Sequence, residues 1–191
     1  MVKAILAGFK TQTRRVIKDE DYYSCITGDC DHWERSLCDE EMRKLCPYGI
    51  PGDRLWVRET FLPVVDGDPP GWYEYEGSGP DKMGYDGPDT ILYRATDDHH
   101  PKRWRPGIHM PRWASRITLE ITKVWFERVQ DISEQEATQE GIPIDEALKC
   151  RGRYREAFSK VWDSINAKRG FGWRKNPYVW VIEFKRLEVR A

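Results

Sequence analysis

The sequence predicts an α+β fold, and three features point to it. Fifteen glycines and 12 prolines in 191 residues favour a loop-rich β architecture over a helical bundle. Several short runs alternate apolar and polar residues with the period of two that a half-buried strand requires. Two later stretches carry helix signals instead, one with a capping motif and one with an apolar stripe at helical spacing. A chain of this length fits one domain with insertions.

The first seven residues set up the most chemically dense stretch. Val2 to Ala7 are good helix formers, and Gly8 can end such a helix at a position tolerating positive φ. Gly8 to Arg15 then read G-F-K-T-Q-T-R-R. An amine, hydroxyls, an amide and two guanidiniums fall within eight residues. Lys10 and Thr13, three apart, are expected on an exit turn, facing one pocket if that turn is helical. The glycines of a P-loop are missing.

After Ile17 the chain turns acidic and carries Cys25, Cys30, Cys38 and Cys46, with His32 among them. Four thiolates over 22 residues can reach a tetrahedral Zn2+. The spacing lacks the usual C-x2-C pairs, so free thiols compete with a structural zinc, and His32 can stand in for one ligand.

Residues 46–53 form a turn that feeds Arg54 to Phe61, an alternating strand. Leu55 and Val57 lie on one side of it, and Trp56, Arg58 and Thr60 on the other. Glu59, beside Arg58, serves either a salt bridge or a pocket. Residues 63–89 are punctuated by glycine and proline and read as an excursion. Thr90 to Ala95 is a strand. The run Asp97, Asp98, His99, His100 crowds its own ligands and reads as an exposed turn. Trp104-Arg105 and Arg112-Trp113 to Arg116 pair flat rings with guanidiniums, which suits base stacking, phosphate contact or cation–π packing.

Ile117 to Phe126 is the clearest strand. Ile117, Leu119, Ile121 and Lys123 share a side, unless a bulge near Lys123 buries Val124 and Phe126. Ser133 and Glu136 form an S-x-x-E capping box, and Gly141 takes the position after the helix end. That leaves Glu140 at a helix C-terminus, where the dipole disfavours a carboxylate. A charge placed there calls for a cationic partner or a catalytic role. Tyr154 to Asn166 is a second helix with the stripe Tyr154, Ala157, Phe158, Val161, Trp162, Ile165. Tyr178 to Phe184 closes the domain as a strand.

The formal net charge of −1 conceals a segregation. Residues 1–18 hold five Lys or Arg and no acid, 19–100 hold seven basic against 20 acidic residues, and 101–191 hold 19 against 12. The two ends of the chain can together form a basic face. No signal-peptide stretch or membrane-spanning apolar run is present, which points to a cytoplasmic setting without membrane contact.

Taken together, G-F-K-T-Q-T-R-R at 8–15, P-G-D-R-L-W-V-R-E at 51–59, the strand at 116–126, E-A-T-Q-E-G at 136–141 and W-V-I-E-F-K at 180–185 resemble the ASCH family. C-P-Y-G-x-P-G-D, M-P-R-W-A-S-R-I and W-D-S-I-N-A-K-R-G are similar to the subgroup carried by phages and prophages. The resemblance covers roughly residues 1–17, 46–62 and 111–188. It implies a PUA-like mixed β-barrel with flanking helices in a single domain over 1–191. Two insertions are expected, a Cys-rich one at 18–45 and a Gly/Pro-rich one at 63–105.

Three activities follow from the resemblance. One is binding of RNA, DNA or a modified pyrimidine nucleoside or nucleotide in a pocket. The second is amidohydrolysis of N4-acetylcytidine-like substrates, and the third is ribonuclease action. In the amidohydrolases a K-x-x-T motif supplies a lysine base and a threonine nucleophile, matching Lys10 and Thr13, and an A-x-x-E stretch supplies a glutamate proton donor, matching Glu140. Arg14 and Arg15 are neighbours able to lower the lysine's pKa. The expected substrate-binding set is Arg14, Arg15, Trp56, Glu59, Trp113, Arg116 and Trp180, with tryptophans stacking on a pyrimidine and Arg15 or Arg116 holding a phosphate. No cofactor is expected in the pocket. The chain is about twice the size of the small amidohydrolases it resembles.

Overall fold

The computed structural model describes residues 1–18, 46–64, 90–97 and 104–187. Within these, the chain is a mixed α+β structure with four α-helices and six strands. It divides into two compact units, the first built on Lys3–Leu55 and Leu119–Arg186, the second on Trp56–Thr118. Cys25, Cys30, Cys38 and His32 lie outside the described residues, as does most of both expected insertions.

The first unit is organised on a four-stranded sheet in the order β1 (Gln12–Val16), β6 (Tyr178–Leu187), β5 (Thr118–Arg128) and β2 (Arg54–Trp56). β1 runs antiparallel to β6, with Thr13 opposite Ile182 and Arg15 opposite Trp180. The Val129 amide donates to the Pro177 carbonyl at 3.0 Å, joining the end of β5 to the start of β6. The chain leaves this unit at the end of β2 and returns at the start of β5.

Helix α1 (Val2–Leu6) ends at Ala7, and Gly8 follows at φ 78°. The turn there is tight enough for the amides of Phe9 and Lys10 both to donate to the Ala4 carbonyl. Thr13 then lies on β1 rather than on the expected turn: a β-branched residue next to Val16 and Ile17 pairs readily with another strand.

Helix α2 (Glu134–Gln139) begins with the full capping box. The Glu136 amide donates to Ser133 Oγ at 3.2 Å, and the Ser133 amide donates to Glu136 Oε2 at 2.9 Å. Glu140 is its C-cap and Gly141 follows at φ 76°. A short helix that the sequence pattern did not signal, α3 (Ile144–Lys149), precedes α4 (Tyr154–Asn166). Phe158 and Trp162 of α4 are buried with Val129, Ile132, Ala137, Val179 and Val181, and Ala157 is buried too. Ile165 departs from the stripe and is 53% exposed.

On β5, Leu119 and Ile121 are buried but Lys123 is exposed. Beyond it both faces are half-covered: Val124 and Phe126 pack toward Ile17, Cys46 and Trp180, and Trp125 toward the α4 cluster.

The second unit has its own small core. β3 (Phe61–Val64) pairs antiparallel with β4 (Thr90–Tyr93), and Phe61, Met110 and Ala114 pack with Ile91 and Tyr93. The strand expected over 54–61 is interrupted after Trp56. The Glu59 amide turns away from the ladder and donates to Met110 Sδ at 3.3 Å.

Because the capping box satisfies two otherwise orphaned amides, Ser133→Ala is expected to lower unfolding free energy by about 1 kcal/mol in urea denaturation.

Candidate functional site

Lys10 is placed by backbone before its side chain is considered. It bridges Glu140 across an isolated antiparallel pair, and the Thr11 amide donates to the Gln139 carbonyl at 2.9 Å. The stretch after α1 is thereby tied to the C-terminal end of α2. Gly141 completes the fit. A Cβ there would sit 2.8 Å from Lys10 Cβ and 3.0 Å from Ala4 Cβ, so a side chain at 141 would displace the lysine stem.

The Lys10 ammonium is 4% exposed as a residue and uses all three N–H bonds. It donates to the Gln12 carbonyl at 2.7 Å, the Glu140 carbonyl at 2.7 Å and Glu140 Oε2 at 2.8 Å. Burial is the main influence on its pKa and lowers it; Glu140 opposes, and Arg15 and Arg14 push further down. The net result lies below the usual lysine value. The two arginines thus act in the expected direction, but desolvation is the larger cause.

Arg14 continues the network inward, its side chain fully buried. Its Nε and Nη2 donate to Glu127 Oε1 at 2.9 and 2.7 Å, and Nη1 donates to Glu140 Oε1 at 3.3 Å. Glu136 Oε1 lies 3.4 Å from Nη2. Trp125 Nε1 fixes the other Glu127 oxygen at 2.9 Å, and the Phe158 ring centroid lies 6.0 Å from the guanidinium carbon. Glu140 therefore bridges two cations, one on each oxygen. The carboxylate at the unfavourable end of α2 has its cationic partners here.

A cavity of about 380 Å3 opens beside this network. Lys10, Thr13, Arg14 and Arg15 line it from the N-terminal stretch, with Glu140 from the end of α2. Tyr48, Phe158 and Trp162 supply rings, and Lys18 and Arg169 supply further cations. The Thr13 hydroxyl has no hydrogen-bond partner among the described residues. The volume falls within the range of small-molecule sites, and the lining mixes apolar faces with a few convergent polar groups.

Of the expected substrate-binding residues, only Arg14 and Arg15 line this cavity, and Arg14 is consumed by carboxylates. Trp180 is 2% exposed and packs with Ile17 and Cys46, edge-on to Phe126 at 6.2 Å. A ring so enclosed offers no face for stacking. Cys46, the one described member of the cysteine set, is a buried free thiol whose pKa burial raises. Among the described residues no cluster of three metal-ligating side chains occurs.

Trp56, Glu59, Trp113 and Arg116 belong to the second unit. Glu59, 3% exposed, receives Arg116 Nε on Oε1 at 2.9 Å and Nη2 on Oε2 at 3.0 Å, a two-pronged pair. The same guanidinium lies 3.9 Å over the Tyr93 ring. Trp56 carries the Arg58 and Arg112 guanidiniums at 4.7 and 5.8 Å from its ring. Arg112 and Arg116, read in sequence beside Trp113, are thus engaged in cation–π packing with other rings, Trp56 and Tyr93.

The residues that sequence reasoning missed are Lys18, Tyr48, Phe158, Trp162 and Arg169. Phe158 and Trp162 had a signal, the i, i+4 aromatic pair of α4, with centroids 5.9 Å apart. It was absorbed into the core stripe because one helix face can both fill a core and line a cavity.

Comparison with protein-family models, with curated proteins and with solved structures finds no match to this chain. No helix among the described residues is long and apolar enough to cross a membrane.

Two outcomes test the network. Arg14→Met leaves Glu127 without this cation and Glu140 with Lys10 alone, and is expected to cost about 3–5 kcal/mol in urea denaturation. Partial burial pushes the Glu136 carboxyl up, but the Ser133 amide and hydroxyl and the Arg14 guanidinium outweigh it and hold it below its ordinary 4.5. Its stabilisation is complete above that value and is lost as pH falls through the depressed one. Glu136→Gln should therefore flatten the acid limb of the stability profile.

Proposed function

We propose that the cavity binds a modified pyrimidine nucleoside or nucleotide. One observation carries this: Lys10, Thr13 and Glu140, which come from opposite ends of the first unit's sequence, line the same small cavity beside Tyr48, Phe158 and Trp162. Rings give a flat base its faces, and the Thr13 hydroxyl and the Arg15 guanidinium give it polar partners along an edge. The motif resemblance to the ASCH family supports the same reading, and the strand order β1-β6-β5-β2 with helices beside the sheet supports a PUA-like form. A concave cavity of this volume suits one base and its sugar better than a duplex.

A second reading, amidohydrolysis, is favoured by a buried lysine of lowered pKa close in sequence to a buried threonine whose hydroxyl has no hydrogen-bond partner among the described residues. In it Thr13 Oγ attacks the acyl carbon of an N4-acyl cytosine. The Thr13–acyl bond forms, the acyl–N4 bond breaks, and the hydroxyl proton passes through Lys10 to N4. Water then hydrolyses the ester and releases the carboxylic acid. Lys10 rests as an ammonium with every proton committed, so it must first lose one to act as base. Desolvation favours that loss.

The test is calorimetric titration of N4-acetylcytidine into the full chain, paired with mass analysis for cytidine and acetate. Binding that is lost in Lys10→Ala is expected; absence of binding overturns the assignment. If turnover occurs, its rate should rise with pH through a lysine pKa below the usual 10.5, and a rate that falls over that range would exclude Lys10 as the base.

A further inference from the structure

Resting on that reading, we propose that the natural ligand carries a phosphate, seated at the cavity mouth by Arg15, Lys18 and Arg169, and is a nucleoside monophosphate. The charges lining the cavity fall into two sets. The inner cations, Lys10 and Arg14, are matched by Glu140, with Glu127 and Glu136 behind it. Among the described lining residues Glu140 is the only carboxylate, and both its oxygens are taken.

The outer set is left over. Arg15, Lys18 and Arg169 are all exposed and line the same cavity. Among the described residues Arg15 Nη1 donates to the neighbouring Arg14 carbonyl at 3.2 Å and Arg169 Nη1 to Asn166 Oδ1 at 3.4 Å. Both acceptors are neutral and both bonds long. Lys18 has no partner among the described residues. Among the described residues none of the three faces a carboxylate, whereas the inner cations and several surface lysines and arginines do. Three cations brought to one mouth by β1, the segment after it and the turn after α4 repel each other unless an anion sits among them. Guanidiniums tethered by one edge keep further N–H bonds for the paired oxygens of a phosphate. A phosphate on the sugar of a bound nucleoside would meet these groups while the base remained inside.

The experiment compares N4-acetylcytidine, its 5′-monophosphate and a dinucleoside phosphate without terminal phosphate, each titrated into the full chain at low salt. The monophosphate is expected to bind about tenfold or more tightly than the nucleoside, with the ratio shrinking as salt is added. In Arg15→Gln/Arg169→Gln the ratio should fall to about threefold or less, while an unchanged melting temperature shows the fold intact. Equal affinity of nucleoside and monophosphate, or a preference that survives the double substitution, overturns the phosphate seat but leaves the base pocket standing. Tightest binding of the dinucleoside phosphate assigns the mouth to a polynucleotide chain and also overturns it. If no probe binds, the base pocket fails and the seat with it.

Discussion

A guanidinium with no exposed side-chain surface must be neutralised from within, and Arg14 is such a group. Three glutamates from two different elements meet that demand: Glu127 from β5, and Glu136 and Glu140 from the start and end of α2. Removing the charge from water is costly, and only close, hydrogen-bonded carboxylates offset it. The position of α2 against the sheet is thereby fixed at both of its ends. Lys10 belongs to the same arrangement, since the Glu140 that reaches Arg14 with one oxygen holds the lysine with the other.

Structural and chemical roles are therefore hard to separate at Glu140. Its place at a helix C-terminus opposes the helix dipole, yet two cations more than compensate. The same geometry keeps a lysine dry beside a cavity. A buried amine is worse solvated as an ammonium than as a free base, so the packing that orders this part of the fold also brings the amine closer to useful basicity. Gly141 belongs to this economy as well, because the space a methyl would fill is the space the lysine stem occupies.

Much of this was legible in the chain. The capping box at Ser133 and Glu136, the glycine after Glu140 and the anomalous carboxylate between them are short-range signals, and the helix forms as they dictate. The full extent of α4 followed from its stripe. What could not be read was set by tertiary packing. Thr13 looked like a turn residue because nothing local reveals that β6 would pair with it. Trp180 looked available for stacking because an alternating strand does not say which face another layer will cover. Glu127 gave no hint of its role, since its partner lies more than a hundred residues earlier. Trp56 and Trp113 carried the right chemistry for a pyrimidine site but lie in a unit with its own core and its own cation–π pairs. Residue types announce what chemistry is possible, and topology decides where it is assembled.

The topology also sets an order of events. Among the described residues β1 sits at one edge of its sheet, with β6, the last of the described strands, as its single strand neighbour. Strand pairing for residues 12–16 therefore waits for residues 178–187, a long-range closure that is slow on entropic grounds. During synthesis the stretch bearing Lys10 and Thr13 is made well before the strand it pairs with. Until these elements come together, Lys10 and Arg14 hang free of the carboxylates that will cage them. A chain that stalls before residue 178 thus lacks both the partner of β1 and the buried Val179, Trp180, Val181 and Ile182 of the core.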